Sequence, residues 1–303
     1  MKLIYMNGGL GNQLFQYIFY RAIELNTGDE CIIDDTYFTL DPDAHNGYEV
    51  EKIFGLKPKL LSRVLSPEQW AGLLECKIDG KTVNQLDYLN TLGYQFELCS
   101  EGNTYTEAYK DCDVKYDKNY FTLSMNSFNG NVFSLPGDIF YYGYWINPHW
   151  FHNIRETIVK DLTFPEITDE HNQKIMDSIL STNSVGIHIR RGDFVTLGWA
   201  LGPDWYAGAV RHMRNVIMKP TFFVFSDDIP WCRENFAQIG FEPTDEIVYV
   251  EGNMGGGNFR DMHHMTMCKN LVISNSSFSY LAGLLNQTPN KYIINPSSQR
   301  EMF

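Results

Sequence analysis

Between residues 185 and 294, short apolar runs alternate with helical segments, and no other feature of the chain constrains its fold as much. Strands are predicted at 185–190, 221–226, 247–250, 271–274 and 292–294, each too short and too apolar to be a surface helix. Helices are predicted between them at 204–217, 230–239, 259–269 and 278–285. Parallel neighbours cannot be joined by a hairpin and need a crossover. This spacing therefore predicts a doubly wound parallel sheet of the α/β class. Ligands of such sheets bind beyond the carboxyl ends of the strands.

One of those ends is rich in chemistry. Residues 185–195 read V-G-I-H-I-R-R-G-D-F-V. Val185, Ile187 and Ile189 alternate with Gly186, His188 and Arg190 in the period-2 pattern of a strand, which Gly192 ends. His188, Arg190, Arg191 and Asp193 are thereby gathered at one edge. Two adjacent guanidiniums suit a diphosphate, because each is a planar fork of donors matched to phosphate oxygens. A surface ion pair is the plainer use of the same residues.

Three further strand ends converge there. Asp227 and Asp228 follow F-F-V-F-S, Gly255-Gly256-Gly257 opens the helix carrying Asp261, and Asn275-Ser276-Ser277-Phe278-Ser279 opens the last main helix. A helix start with free N–H groups and hydroxyls suits a phosphate, although an ordinary Ser/Asn cap has the same sequence. Asp227 and Asp228 lack a second acidic cluster, so they are read as ordering the loop or binding a hydroxyl rather than a metal. His263, His264 and Cys268 are the one metal-like grouping. A zinc site needs a further ligand that the sequence does not supply, so they are read as packing or surface residues.

The amino-terminal half opens as β-α-β. Residues 2–6 read as a strand, N-G-G-L-G-N-Q (7–13) as a glycine-rich turn, and Leu14, Phe15, Ile18, Ala22 and Leu25 as one face of a helix. A second strand at 31–33 ends in Asp34 and Asp35. The G-x-G-x-x-G fingerprint of dinucleotide binding fails, because Leu14 stands where its third glycine belongs. Residues 41–131 carry little pattern beyond helical signals at 51–56 and 67–74 and a strand signal at 81–86. I-F-Y-Y-G-Y-W (139–145) reads as an aromatic strand, with a helix predicted at 150–162. A break at 165–168 separates two expected domains, 1–165 and 166–303.

The chain has 303 residues, 44% of them hydrophobic, and a formal net charge of −13. It can bury a substantial core, and it lacks the basic face of a general nucleic-acid binder. Neither an export signal nor an apolar run of membrane-spanning length is seen. Cys31, Cys76, Cys99, Cys112, Cys232 and Cys268 show no C-x-x-C spacing and are read as reduced thiols. The expected compartment is the cytoplasm, with peripheral association at the inner face of the membrane left open.

Five blocks in order, G-G-L-G-N-Q-L-F-Q-Y, G-Y-W-I-N-P-H-W-F, H-I-R-R-G-D-F, F-S-D-D and N-S-S-F-S, resemble the bacterial α-1,2-fucosyltransferases of glycosyltransferase family 11 across essentially the whole chain. The resemblance implies a GT-B architecture: two Rossmann-like domains facing across a cleft, the first on the acceptor side and the second binding GDP-fucose. It implies inverting transfer of L-fucose from GDP-β-L-fucose to the 2-hydroxyl of a terminal β-galactoside. The acceptor would be an oligosaccharide or a lipid-linked precursor of O-antigen or capsule, and no metal or other cofactor is expected. By motif, His188 lies near the nucleotide, Arg190 grips the diphosphate, and Arg191 braces the loop and Asp193. Ser276, Ser277 and Phe278 contact phosphate or nucleoside, Asp261 meets the guanine edge, and Asn12, with Gln13 beside it, lies near the donor. The chain departs from the family at Ile146-Asn147, where Gln-Ser often follows G-Y-W, and at Tyr280-Leu281, where paired tryptophans are usual. Both departures bear on acceptor choice.

The chemistry fits such a donor. Breaking a glycosyl phosphate bond builds negative charge on the leaving diphosphate, which fixed arginines and a helix N-terminus stabilise. Arg190 and Asp193 are the candidate catalytic residues. Asp193 is a convenient general base, but pairing with an arginine would lower its basicity. Asp34, Asp35 and Glu51 are alternatives. Competing readings are the same fold with another donor sugar or linkage, a nucleotide-dependent oxidoreductase, and a non-catalytic carbohydrate-binding module built on Arg191-Gly192-Asp193. The aromatic stretch 141–150 is either an acceptor platform or core.

Overall fold

The computed structural model describes residues 1–79, 85–102 and 119–296. It divides into two compact units, Met1–Thr163 and Phe164–Phe303. Each is built on its own five-stranded sheet in which every pairing is parallel.

In the first unit, β1 (Lys2–Tyr5), β2 (Cys31–Asp34), β3 (Glu97–Glu101), β4 (Asn119–Leu123) and β5 (Ile139–Tyr142) lie in the order β2-β1-β5-β3-β4. The helix Leu10–Thr27 makes the first crossover and stops at Gly28, whose φ of 69° is a left-handed cap that a Cβ would strain. Every position of β1, β2 and β5 is buried, as expected for a parallel sheet covered on both faces. One face packs Leu3, Ile32, Leu98 and Phe140 on Leu61, Leu73, Leu86 and Leu89. An aromatic cluster also packs within this unit, with Phe19 stacked on Trp145 at 4.0 Å and meeting Trp150 edge-on at 5.0 Å. The stretch 141–150 is therefore mainly core: Tyr141, Trp145, Trp150 and Phe151 are all at most 1% exposed.

In the second unit, β6 (Asn183–Ile189), β7 (Pro220–Ser226), β8 (Glu246–Tyr249), β9 (Asn270–Val272) and β10 (Ile293–Ile294) lie in the order β10-β9-β6-β7-β8. The chain runs outward from β6 through β7 to β8, then returns to pair β9 on the other side of β6. The boundary between β6 and β9 is thus the topological switch point, where a parallel sheet opens a crevice at its carboxyl edge. The core beneath it joins Val185, Ile187, Phe222, Val224 and Val272 to Tyr206, Val210 and Met213 of the helix Pro203–Val216.

Several expectations need correction. Of the strand expected at 81–86, residues 81–84 lie outside the described residues, and Gln85 and Leu86 open the helix Gln85–Thr91 instead. The helix expected over 150–162 is two, His149–His152 and Arg155–Asp161, because Ile154 at φ −123° and ψ 19° leaves helical geometry between them. Strands β3 and β4 and the helix Glu170–Ser181 have no counterpart in the sequence expectations. Cys112 lies outside the described residues, and the other five cysteines are free thiols. Among the described residues no helix is long and apolar enough to cross a membrane.

Candidate active site at the carboxyl edge of the second sheet

The switch point brings the H-I-R-R-G-D-F and N-S-S-F-S blocks into contact. His188, near the end of β6, places Nδ1 2.8 Å from Ser274 Oγ, just beyond β9, and Ser274 Oγ lies 3.3 Å from Ser279 Oγ. The imidazole stacks on Phe278 at 5.6 Å between centroids. Burial, with the charge of Arg190 second, pushes His188 down to about 3, so the ring is neutral near pH 7. Ser276 caps the helix Ser277–Leu285 by accepting the Phe278 N–H at 3.4 Å. Asn275 donates to the Trp199 carbonyl at 2.9 Å, which ties this helix start to the loop beyond β6. Ser274 had no sequence signal of its own, and although Ser279 ends the N-S-S-F-S block, their link to His188 depends on β9 lying beside β6.

Arg190 sits between two carboxylates. Its Nη2 donates to Asp193 Oδ1 at 2.6 Å, and its Nη1 lies 2.9 Å from Asp227 Oδ2. The guanidinium lies 5.3 Å from the Phe194 ring, and its Nε–H is shielded from solvent without a hydrogen-bond partner among the described residues. Arg191 is held separately: Nε donates to Asp228 Oδ2 at 3.0 Å, and the guanidinium covers Trp231 at 3.7 Å. The expected pairing is therefore exchanged, with Arg190 holding Asp193 and Arg191 bracing Asp228. Asp228 also caps the helix Ile229–Glu234 by accepting the Trp231 N–H at 3.2 Å. Asp227 and Asp228 order the arginine pair.

Asp261 belongs to a different polar group in the same unit. It follows the 3-10 turn Gly255–Gly257 and lies in the helix Phe259–Met267. Its Oδ1 accepts Asn253 Nδ2 at 2.8 Å, and Asn253 is locked to Asn172 by two reciprocal amide bonds of 2.9 and 3.0 Å. Burial pushes the Asp261 carboxyl up to about 7 against that hydrogen bond. Asn172 lies in the unexpected helix Glu170–Ser181, so this brace was not legible from sequence. His264 and Cys268 are structural here: Nε2 of His264 lies 3.2 Å from the Asn172 carbonyl, and Cys268 donates to the His264 carbonyl. His263 stacks on Phe164 at 4.8 Å.

In the first unit the glycine-rich turn follows β1. Gly8, at φ +76°, runs against Asn12: a Cβ there would lie 2.7 Å from Asn12 Nδ2. Gln13 is fully buried. Its amide nitrogen donates to the Gly8 and Gly47 carbonyls, each at 2.9 Å, and its oxygen accepts the Glu49 N–H at 2.8 Å. The Gly8 bond holds the glycine turn, and the Gly47 and Glu49 bonds tie it to the loop before the helix Val50–Phe54. The alternative bases are occupied too. Asp34 accepts from Gln85 and the Thr36 N–H, Asp35 from the Ser62 N–H and hydroxyl, and Glu51 pairs with Arg63 at 2.7 Å. Glu101, also unmarked in the sequence, is buried and accepts the N–H groups of Asn126, Tyr144 and Trp145, which fixes the start of the G-Y-W-I-N-P-H-W-F block.

Comparison with known proteins extends this picture. The family model described as Glycosyl transferase family 11 matches residues 107–303. Alpha-1,2-colitosyltransferase of Escherichia coli is 26% identical over 281 residues, covering 90% of this chain and 83% of that protein. Galactoside 2-alpha-L-fucosyltransferase Sec1 of Mus musculus is 24% identical over 181 residues, covering 56% of this chain and 48% of that protein. Among solved structures, the fucosyltransferase NodZ from Bradyrhizobium superposes with a TM-score of 0.53 at 14% identity, over 94% of this chain and 92% of that one. A structure of NodZ alpha-1,6-fucosyltransferase soaked with GDP-fucose gives 0.52 at 13% identity, over 94% and 91%. The fold is α/β of the GT-B type, with two Rossmann-like units.

Proposed function

The chain belongs to glycosyl transferase family 11, and we propose that it moves L-fucose from GDP-β-L-fucose to the 2-hydroxyl of a terminal β-galactoside, with inversion at the fucose anomeric carbon and without a metal. The single observation that carries this assignment is the meeting of Arg190, His188 and the Ser276-capped helix start at the switch point of the second sheet.

In this assignment the second unit binds the donor. Arg190 takes the diphosphate as a planar charged donor, and the N–H groups opening Ser277–Leu285, with the hydroxyls of Ser276 and Ser277, face the same anion. As the anomeric C–O bond breaks, negative charge grows on the leaving phosphate, and these fixed groups stabilise it without reorganising. His188, neutral and buried against Phe278, supplies a hydrogen bond rather than a charge. Asp261 accepts from the N1–H and 2-amino group of guanine. Asp193 is assigned the proton of the acceptor hydroxyl, because Asp34 and Asp35 are buried and saturated, whereas Asp193 is exposed and held by one ion pair. The glycan acceptor is an oligosaccharide or lipid-linked precursor met at the cytoplasmic side.

The relative named as a colitosyltransferase favours a second donor. Colitose is L-fucose without its 3-hydroxyl, so the diphosphate and guanine contacts would serve either sugar. The deciding experiment mixes purified protein with GDP-fucose and lactose in the presence of EDTA, follows GDP release, and reads the product linkage by NMR. Acceptor-dependent release with an α-1,2 product is expected. Turnover only with GDP-colitose would assign the second donor, and failure to bind either GDP-sugar would overturn the donor class.

A further inference from the structure

We propose that the two carboxylates on Arg190 have different tasks: Asp227 positions the guanidinium, and Asp193 occupies the seat that the donor's diphosphate takes. This rests on the donor assignment above.

Asp227 is built into the end of the sheet. It directly follows β7, whose last residue, Ser226, donates from Oγ to the Ile189 carbonyl at 2.7 Å and so joins the ends of β6 and β7. Both Asp227 oxygens are engaged, Oδ1 by the Arg191 N–H at 2.8 Å and Oδ2 by Arg190 Nη1 at 2.9 Å. Gly192 leaves the room for this, since a Cβ there would lie 2.6 Å from Asp227 Oδ2. Moving Asp227 breaks a backbone contact as well as the ion pair.

Asp193 has no such anchor. It stands on the short helical turn Gly192–Thr196, none of whose residues is buried, and its side chain is 52% exposed. Its carboxylate has one partner among the described residues, Arg190 Nη2 at 2.6 Å. A side-chain rotation returns it to water and leaves Asp227 in place. An incoming diphosphate is repelled by a carboxylate of like charge on the same Nη2, so it takes the edge that Asp193 leaves. Exposed ion pairs of this kind are weak, so the exchange lowers apparent affinity by a small factor, the fraction of molecules in which Arg190 is open.

Calorimetric titration with GDP tests the asymmetry. Asp193→Asn is expected to bind GDP about three- to fivefold tighter than the unaltered protein and to have no effect in an Arg190→Ala background. Asp227→Asn is expected to bind GDP at least about threefold more weakly, since a loosened guanidinium has more freedom to lose on binding. Loss of negative charge alone would tighten binding in both variants and would persist without Arg190; either result overturns the proposal. Should Asp227→Asn fail to fold, the Asp193 and Arg190 cycle decides by itself. An unaltered protein that does not bind GDP overturns the donor assignment, whereas GDP binding with equal tightening in both Arg190 backgrounds overturns this inference alone.

Discussion

A Cβ on Gly192 would lie 2.6 Å from Asp227 Oδ2, the oxygen that holds Arg190 Nη1. The glycine is therefore needed for the space it leaves beside a carboxylate. Gly192→Ala should push Asp227 off the guanidinium and lower transfer at least about tenfold through lost positioning. The turn it sits in has no buried residue, so the melting temperature should move by only a few degrees. Steady-state kinetics beside a thermal melt checks both, and full activity in the alanine variant would remove Gly192 from the account.

Arg190→Ala should slow transfer about 10²–10³-fold, the loss expected when one fixed donor to a developing oxyanion is removed, ~3–4 kcal/mol of barrier. Arg190→Lys should recover little of it. A single ammonium cannot hold Asp227 and present a second edge to phosphate, as the planar fork does. A circular dichroism spectrum matching the unaltered protein is the control. Near-normal turnover in either variant would take Arg190 out of the reaction.

The second unit was legible in sequence because its strands are uninterrupted apolar runs whose ends are marked by Gly, Asp, Asn and Ser. The edge at which His188, Arg190, Asp227 and Ser276 collect follows from that alternation alone. Which of them touch does not: the His188–Ser274 and Arg190–Asp227 contacts exist because β6 lies between β9 and β7, and strand order is invisible to a period-2 pattern. The first unit is harder for a different reason. Strand β3 reads E-L-C-S-E, and its buried Glu101 is tolerated because backbone N–H groups of residues distant in sequence, Asn126, Tyr144 and Trp145 among them, satisfy it. The helix Glu170–Ser181 buries only a narrow stripe, Asn172, Ile175 and Ile179, on an otherwise polar surface.

Gln13 is a brace whose loss should be seen in stability. Gln13→Ala leaves the Gly8 and Gly47 carbonyls and the Glu49 N–H without their partner. An unsatisfied buried polar group costs about 1–3 kcal/mol. With partial rescue by water at Gly47, the expected destabilisation is roughly 2–4 kcal/mol. Chemical denaturation of the variant measures it, and a change under about 0.5 kcal/mol, the scale of a surface substitution, would show the loop to be held by other contacts.

His188 stays neutral in the folded protein down to about pH 3, whereas in the unfolded chain it takes up a proton near its ordinary 6.5. Between those values the unfolded state binds the extra proton. The contribution of this buried ring is therefore complete above about pH 6.5 and is lost progressively as pH falls toward 3. Burial pushes His263 and His264 down to about 4, which adds to the same acid weakening. The melting temperature should fall between pH 7 and 4.5, and less steeply in His188→Gln, even though that variant starts lower for want of the Phe278 stacking. Parallel slopes in the two proteins would show that His188 takes up its proton at the same pH in the folded and the unfolded chain.

With Asp261 on the guanine edge, as proposed, GDP binding gains a pH dependence of opposite origin. Its carboxyl is pushed up to about 7 by burial, so near neutrality the free protein is a mixture of acid and carboxylate. Only the carboxylate accepts from both the N1–H and the 2-amino group of guanine, so affinity for GDP should rise from pH 6 to 8 and flatten above. Asn253 donates to Asp261 Oδ1 at 2.8 Å and opposes the effect of burial. Its removal in Asn253→Ala raises the Asp261 carboxyl further and should move the inflection to higher pH, weakening GDP binding most at pH 7 and least at pH 9. Asp261→Asn should bind GDP weakly and keep only the inflection of the GDP terminal phosphate itself, whose second ionisation lies at about 6. Calorimetry across pH 6–9 on the three proteins separates this from a global loss of structure, because a merely unfolded or loosened Asn253→Ala would bind weakly at every pH. An inflection near pH 7, above that of the GDP phosphate, that stays in Asp261→Asn would assign the titration to another group.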